Sequence, residues 1–502
     1  MNKHLHLSLA FVGVVAAAMP TQAKIVLGTP FSPHAVLQRK MSVPVWGKAP
    51  SGMKIEVSFG GECCVAQADS NGCWCVRLPP MEACDIGRGL VVRELGSRLS
   101  VEKIEVPDVL VGEVWFASGQ SNMECPLWGE NPRFRDANGV LVAEMTRLPK
   151  IRYVKNELKW SVNARPIRST WRQMTAENLR EQPLSAIAFY YARELFLALN
   201  VPVGIVDSSW GGTNIDAWTP RCGYVDCDQK IAAVARYEVK KNWNKAEDSM
   251  GPIYCVYQQP TVIFNGMVAS WAPMAMKGLI WYQGCNNSGE SHLYCAKMHA
   301  LYNGWSRCFN NPDMKLYFVQ LAPYTQNWMG IVQAQNRFAK EQPNAAIVVT
   351  SDIGNFHDIH PNRKEIVAKR LAVHALKRDY GFPIQEDDSP VFQSASFRDF
   401  GAVLTFDNVK SWYLYTPDNS LNAPFELAGT NGVWHAAKVV NLKKKFDKRK
   451  QKEVPLPILE GSRIEVECGA VQKPVRVRYM GEPRTSGTLY NEMSLPLGPF
   501  EM

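Results

Sequence analysis

A serine and a histidine 239 positions apart are the residues with chemistry to offer. Ser121 lies in Gly119-Gln120-Ser121-Asn122-Met123, directly after an apolar run from Val109 to Ala117. That run reads as a buried strand stopping at a glycine turn. A serine on a tight turn at the carboxyl end of such a strand sits where open α/β sheets place their ligands. Its hydroxyl is a weak nucleophile until a base takes the proton. His357 and His360, in His357-Asp358-Ile359-His360-Pro361, lie together after another strand. His360, just before Pro361 and a helix, is the candidate base, and His357 is expected to face solvent. Acyl transfer also needs donors for an oxyanion; the backbone N–H groups of Ser121 and Gly212 can serve, and so can an Asn amide, Asn286 and Asn287 both following a strand end. Each of these residues alone also fits a plain turn or a structural histidine. Asp358, two residues before His360, can share its side if the segment is extended; Asp352 and a backbone carbonyl are rival partners for the ring. Gln120, Gln283 and Trp210 stand beside these positions as candidate substrate-binding residues; Trp210, Trp218, Trp281 and Tyr282 fit a core, and one or two of them at the crevice could stack on a sugar face.

The elements that must position these residues alternate. Val203-Gly204-Ile205-Val206 leads into Trp210-Gly211-Gly212, Leu279-Ile280-Trp281-Tyr282 into Gln283-Gly284-Cys285-Asn286-Asn287, and Ile347-Val348-Val349 into Asp352 and then Asp358 and His360. Leu316 to Val319 is a further strand. Ala186 to Leu199 and Ile366 to Tyr380 repeat at helical spacing. Alternating strands and helices predict an α/β fold with a mostly parallel sheet covered on both faces by helices. Strand ends in such a sheet converge on one crevice. Residues 24–106 alternate in period two, as in Ile55-Glu56-Val57-Ser58-Phe59, and predict an N-terminal β-sandwich. Residues 107–385 form the α/β region, with an insertion of mixed helix and loop at about 222–260. Residues 386–502 return to β pattern as a C-terminal β-rich region.

The first 23 residues read as a secretory signal peptide: Lys3, an apolar Leu7–Ala18 stretch, and small residues at Thr21-Gln22-Ala23. Export to a periplasm or the exterior is therefore expected, with no membrane insertion of the mature chain. The 502 residues are 46% hydrophobic and 21% charged, which argues against disorder. The net charge of +9 is concentrated in the Lys443–Lys452 run, expected to be a solvated loop. No nucleic-acid recognition motif accompanies it. Thirteen cysteines in an exported chain predict some disulfides. Cys285 is a weak candidate for a thiol nucleophile, since no base neighbours it in sequence. No HExxH or paired CxxC pattern is present, so neither a metal nor another cofactor is expected.

Four blocks together resemble a known family. Gly119-Gln120-Ser121-Asn122-Met123, Trp210-Gly211-Gly212-Thr213, Trp281-Tyr282-Gln283-Gly284 and Asp358-Ile359-His360-Pro361 are similar to the four blocks of SGNH hydrolases, and most of all to the sialate O-acetylesterases. Val36-Leu37-Gln38-Arg39, Pro44-Val45-Trp46-Gly47 and Pro496-Leu497-Gly498-Pro499-Phe500 extend the resemblance over nearly all of the mature chain. It implies an SGNH-type sheet, Ser121 as nucleophile, Gly212 and Asn287 in the oxyanion hole, and His360 as base. It further implies removal of O-acetyl groups from sialic acid through an acetyl-enzyme. Acetylxylan or another polysaccharide is the alternative substrate. A non-catalytic carbohydrate-binding protein on a hydrolase scaffold is the alternative of another class. In one place the chain departs from the family, which has Gly-Glu where this sequence has Gly284-Cys285.

Overall fold

Period-two alternation builds the N-terminal strands: β1 (Val26–Leu27), β2 (Val36–Gln38), β3 (Val43–Lys48), β4 (Lys54–Phe59), β5 (Glu62–Gln67), β6 (Cys73–Leu78) and β7 (Cys84–Leu95). In β4, Ile55, Val57 and Phe59 are buried while Lys54 is exposed. The computed structural model describes residues 25–96, 102–167, 169–225, 227, 231, 256–416, 421–447, 452–483 and 485–502. The expected leader and most of the 222–260 insertion lie outside them.

The long strand β8 (Lys103–Gly119) dominates the architecture. Its 17 residues begin with alternating exposure and are continuously buried from Val109 onward. One end pairs antiparallel with β7 and parallel with β2. The other end runs between two strands of the α/β region. That region continues with α1 (Ser121–Glu124), α2 (Gly139–Met145), β9 (Arg147–Lys155), β10 (Arg172–Thr175), α3 (Ala176–Glu181), α4 (Ala186–Leu199) and β11 (Val203–Ser209). It then adds β12 (Gly278–Tyr282), α5 (Ser291–Cys308), β13 (Lys315–Val319), α6 (Met329–Glu341), β14 (Ala345–Val348) and α7 (Lys364–Arg378). The strand order is β10-β9-β11-β8-β12-β13-β14. From β9 to β14 every pairing is parallel, and β10 is antiparallel to β9. Because β2, β4, β5 and β7 join the same 11-stranded sheet through β8, the sheet as a whole is mixed, and the N-terminal strands share it with the α/β region.

Register decides where the turns fall. Ser209 and Tyr282 both stand opposite Gly119, so β11, β8 and β12 finish level and their turns meet. Helix α4 starts where the Ser185 hydroxyl accepts the Ala188 N–H and stops at Asn200 in the left-handed region. It packs against α7, and α5 packs against α6. One core runs from Ile25 to Ala375. A second, from Ala402 to Phe500, belongs to the C-terminal strands. These form a seven-stranded sheet in which Val391–Arg398, Gly401–Asp407, Arg463–Glu467 and Trp434–Val439 are consecutive neighbours.

Two expectations are corrected. Lys444–Asp447 and Lys452–Pro455 pair as an antiparallel two-stranded ribbon, so the basic run is not a plain loop. No disulfide joins any cysteine among the described residues. Cys73 and Cys75 do share one exposed face of β6, as period two requires, with Trp74 buried between them. Cys222 faces Cys308 across 3.6 Å rather than its sequence neighbour Cys227.

Candidate active site

Gly119 ends β8 at φ +140°, and a Cβ there would collide with the carbonyl oxygen of Tyr282. Only glycine lets the chain turn so close to β12. Ser121 follows as the first residue of α1. Its Oγ lies 2.8 Å from His360 Nε2. His360 Nδ1 lies 3.3 Å from Asp358 Oδ1, and the same carboxylate oxygen accepts the His360 backbone N–H at 2.8 Å. That bond spans two residues and curls the segment, bringing Asp358 under the ring. Asp352, the rival, is engaged elsewhere: both its oxygens pair with Arg370 at 2.8 and 2.7 Å. His357 is exposed.

The histidine loop is tied to the serine turn from below. Asn122 donates to the Ile359 carbonyl at 3.0 Å, and its own carbonyl accepts from the buried Lys364 ammonium. Phe134 meets the His360 ring edge-on at 5.0 Å. Burial, joined by the Lys364 charge, holds His360 below the ordinary histidine value against the pull of Asp358. Burial likewise depresses Lys364. No sequence pattern marks Phe134. Lys364 carries one signal, its place four residues after His360.

The other turns close around Ser121. Gly212 has φ +68°, with open space on its Cβ side. Glu124 accepts the Gly211 N–H at 2.7 Å, and burial pushes its carboxyl up. Among the described residues no protein acceptor is bonded to the N–H of Ser121 or of Gly212. Asn287 is buried; its carbonyl accepts from Ile215 N–H at 3.0 Å and Gln283 Nε2 at 2.8 Å.

The two glutamines expected to touch substrate sit inside the walls. Gln283 has no exposed surface and spends its amide on Thr213, Asn287 and Tyr294. Gln120 is 4% exposed and accepts the Gly284 N–H. Both brace one turn against another, because a buried amide must have its partners satisfied. Trp210 stays partly exposed, its ring stacked on Tyr257 at 4.9 Å. Gln258, next to Tyr257, donates to the Gly212 carbonyl and accepts from Asn286, which puts the end of the insertion beside the site. Trp218, Trp281 and Tyr282 are core residues. Burial pushes the Cys285 thiol up to about 12, so it holds no thiolate at neutral pH.

A hydroxyl hydrogen-bonded to an imidazole, a carboxylate behind the ring and free N–H groups at a turn can together perform acyl transfer. The family model for carbohydrate esterases described as sialic acid-specific acetylesterases matches residues 111–377, just over half of the chain. The chain belongs to this family. As a sialic acid-specific acetylesterase family member it is a carboxylic-ester hydrolase, and its relatives agree. It is 26% identical to the sialate O-acetylesterase of Mus musculus over 69% of this chain and 72% of that one. The human sialate O-acetylesterase is also 26% identical, with 69% of each chain covered. The crystal structure of a carbohydrate acetylesterase from Xanthomonas citri superposes with a TM-score of 0.77 at 29% identity, covering 95% of this chain and 99% of that one.

Proposed function

We propose that this family member is an exported serine esterase that removes O-acetyl groups from sialic acids through an acetyl-enzyme on an SGNH-type sheet. The observation that supports it most is the Ser121–His360–Asp358 alignment at the level ends of β8, β11 and β12. His360 Nε2 takes the Ser121 proton as Oγ attacks the acetyl carbonyl. The N–H groups of Ser121 and Gly212, with the Asn287 amide, hold the oxyanion. His360 then returns the proton to the departing sugar oxygen, leaving acetyl-Ser121. Water, deprotonated by His360, attacks that ester, and the proton goes back to Ser121 as acetate leaves. Asp358 keeps Nδ1 protonated and steadies the imidazolium. The 1–23 leader accounts for export, and Trp210 with Tyr257 offers a face to the sugar.

Acetate release from 9-O-acetyl sialic acid and from acetylated xylan, measured side by side, tests the substrate. Sialate turnover exceeding xylan turnover is the expected result; the reverse moves the enzyme to plant polysaccharides, and hydrolysis of neither acetyl ester leaves only sugar binding. The pH profile tests the base. His360 acts when neutral, and its value is held down, so kcat/KM should rise on a limb below about 6.5, the ordinary histidine value, and be level at neutral pH. A limb above 7, or a profile flat from pH 4 to 9, counts against His360 as base.

A further inference from the structure

We propose that Glu290 is a positioning residue that orients the Asn287 amide toward the developing oxyanion; this rests on the esterase mechanism above. Asn287 Oδ1 already accepts two hydrogen bonds, from the Ile215 N–H and Gln283 Nε2. Turning the amide over would set its NH₂ against two donors, so the orientation is fixed. The NH₂ end then has two hydrogens. One donates to Glu290 Oε2 at 3.1 Å, and the other remains for an oxyanion.

Glu290 is itself anchored. Lys297, 3% exposed, reaches the same Oε2 at 2.8 Å and Asp216 Oδ2 at 2.6 Å. Asp216 also accepts the Tyr224 hydroxyl at 3.1 Å. The chain Asp216–Lys297–Glu290–Asn287 therefore runs from the segment after Gly212, through α5, to the turn after β12. It joins the two turns that hold oxyanion donors. Partial burial pushes Glu290 up, but the Lys297 ammonium and the Asn287 amide bring it below the ordinary carboxylate value, so the acceptor stays ionised at neutral pH. The two donors on Oδ1 polarise the amide and strengthen its N–H groups, while the bond to Glu290 fixes the direction in which the free N–H points. The sequence gap at Cys285 is thereby filled: that thiol is uncharged, and the negative charge beside Asn287 comes from five residues later.

The test uses 4-nitrophenyl acetate turnover by the whole protein with Glu290→Ala and Glu290→Gln, and phenylboronic acid as a tetrahedral inhibitor. Glu290 is half exposed on its outer side, and thermal melting checks that both variants fold. Glu290→Ala should lose about 10- to 100-fold in kcat, the scale of a misplaced reacting group, with KM little changed. Inhibitor affinity should fall in step. Glu290→Gln, which can still accept the Asn287 N–H, should recover most of the loss. Wild-type kcat in Glu290→Ala, a loss confined to KM, or equal impairment in both variants overturns the role. Ser121→Ala separates the two levels of failure. If it turns over ester like the wild type, the serine mechanism falls and this role with it; if it is inactive while Glu290→Ala is unimpaired, only the role of Glu290 falls.

Discussion

Ser121→Ala should lose on the order of 10⁴–10⁶ in kcat, as serines of such triads do, with no loss of fold. Among the described residues the Oγ atom bonds only the His360 ring, so its removal deletes a reacting atom and leaves the walls intact. The braces around it do not involve the hydroxyl: Gln120 accepts the Gly284 N–H, Asn122 donates to Ile359, and Glu124 accepts the Gly211 N–H. Thermal melting should therefore match the wild type while acetate release collapses. A fluorophosphonate should label the wild type at Ser121, seen as a mass increment on the peptide containing it, and leave the variant unlabelled. Wild-type turnover by the alanine variant ends the serine mechanism.

Asp358→Asn should cost roughly 10²–10⁴ in kcat with little change in KM, because an orienting carboxylate acts mainly in the transition state. The asparagine can still accept the His360 backbone N–H, which preserves the curl of the loop. What it removes is the charge 3.3 Å from Nδ1, and its amide can hold the ring in the wrong tautomer. Asp352→Asn is the informative control. It breaks a two-pronged pair with Arg370, so it should lower the melting temperature and spare turnover per folded molecule. The reverse pattern would make Asp352 the partner. Full activity in both would reduce the machinery to Ser121 and His360.

The strands were legible because their apolar runs are continuous. Val109–Ala117, Val203–Val206, Leu279–Tyr282 and Leu316–Val319 all fall within β8, β11, β12 and β13. Their turns were legible because glycine marks them. Helix α7 starts two residues before the expected Ile366, at Lys364. A buried lysine breaks the apolar pattern, so reading by hydrophobicity begins late. The 106/107 division has a similar cause. Within β8 the pattern changes from alternating to wholly apolar, and a change of surroundings along one strand resembles a change of unit. Gln120 and Gln283 show a different limit: a polar residue at a strand end looks the same in sequence whether it faces substrate or braces a wall. Phe134 on His360 and Glu290 on Asn287 depend on how the loops pack, which periodicity does not record.

Strand β8 also constrains how such a chain can be inherited. The family match begins at residue 111, inside the strand and beyond part of its pairing with β7 and β2. A recombination breakpoint there would part segments that share hydrogen bonds and one interior. Crossing events are tolerated where few contacts span the junction. The span between Ala375, the last residue of the first core, and Ala402, the first of the second, divides the two interiors, yet across it Ser351 Oγ donates to the Leu497 carbonyl and the Gly487 N–H donates to the Ser351 carbonyl. The N-terminal strands and the esterase machinery share one sheet and one interior, so a functional exchange would have to carry both together.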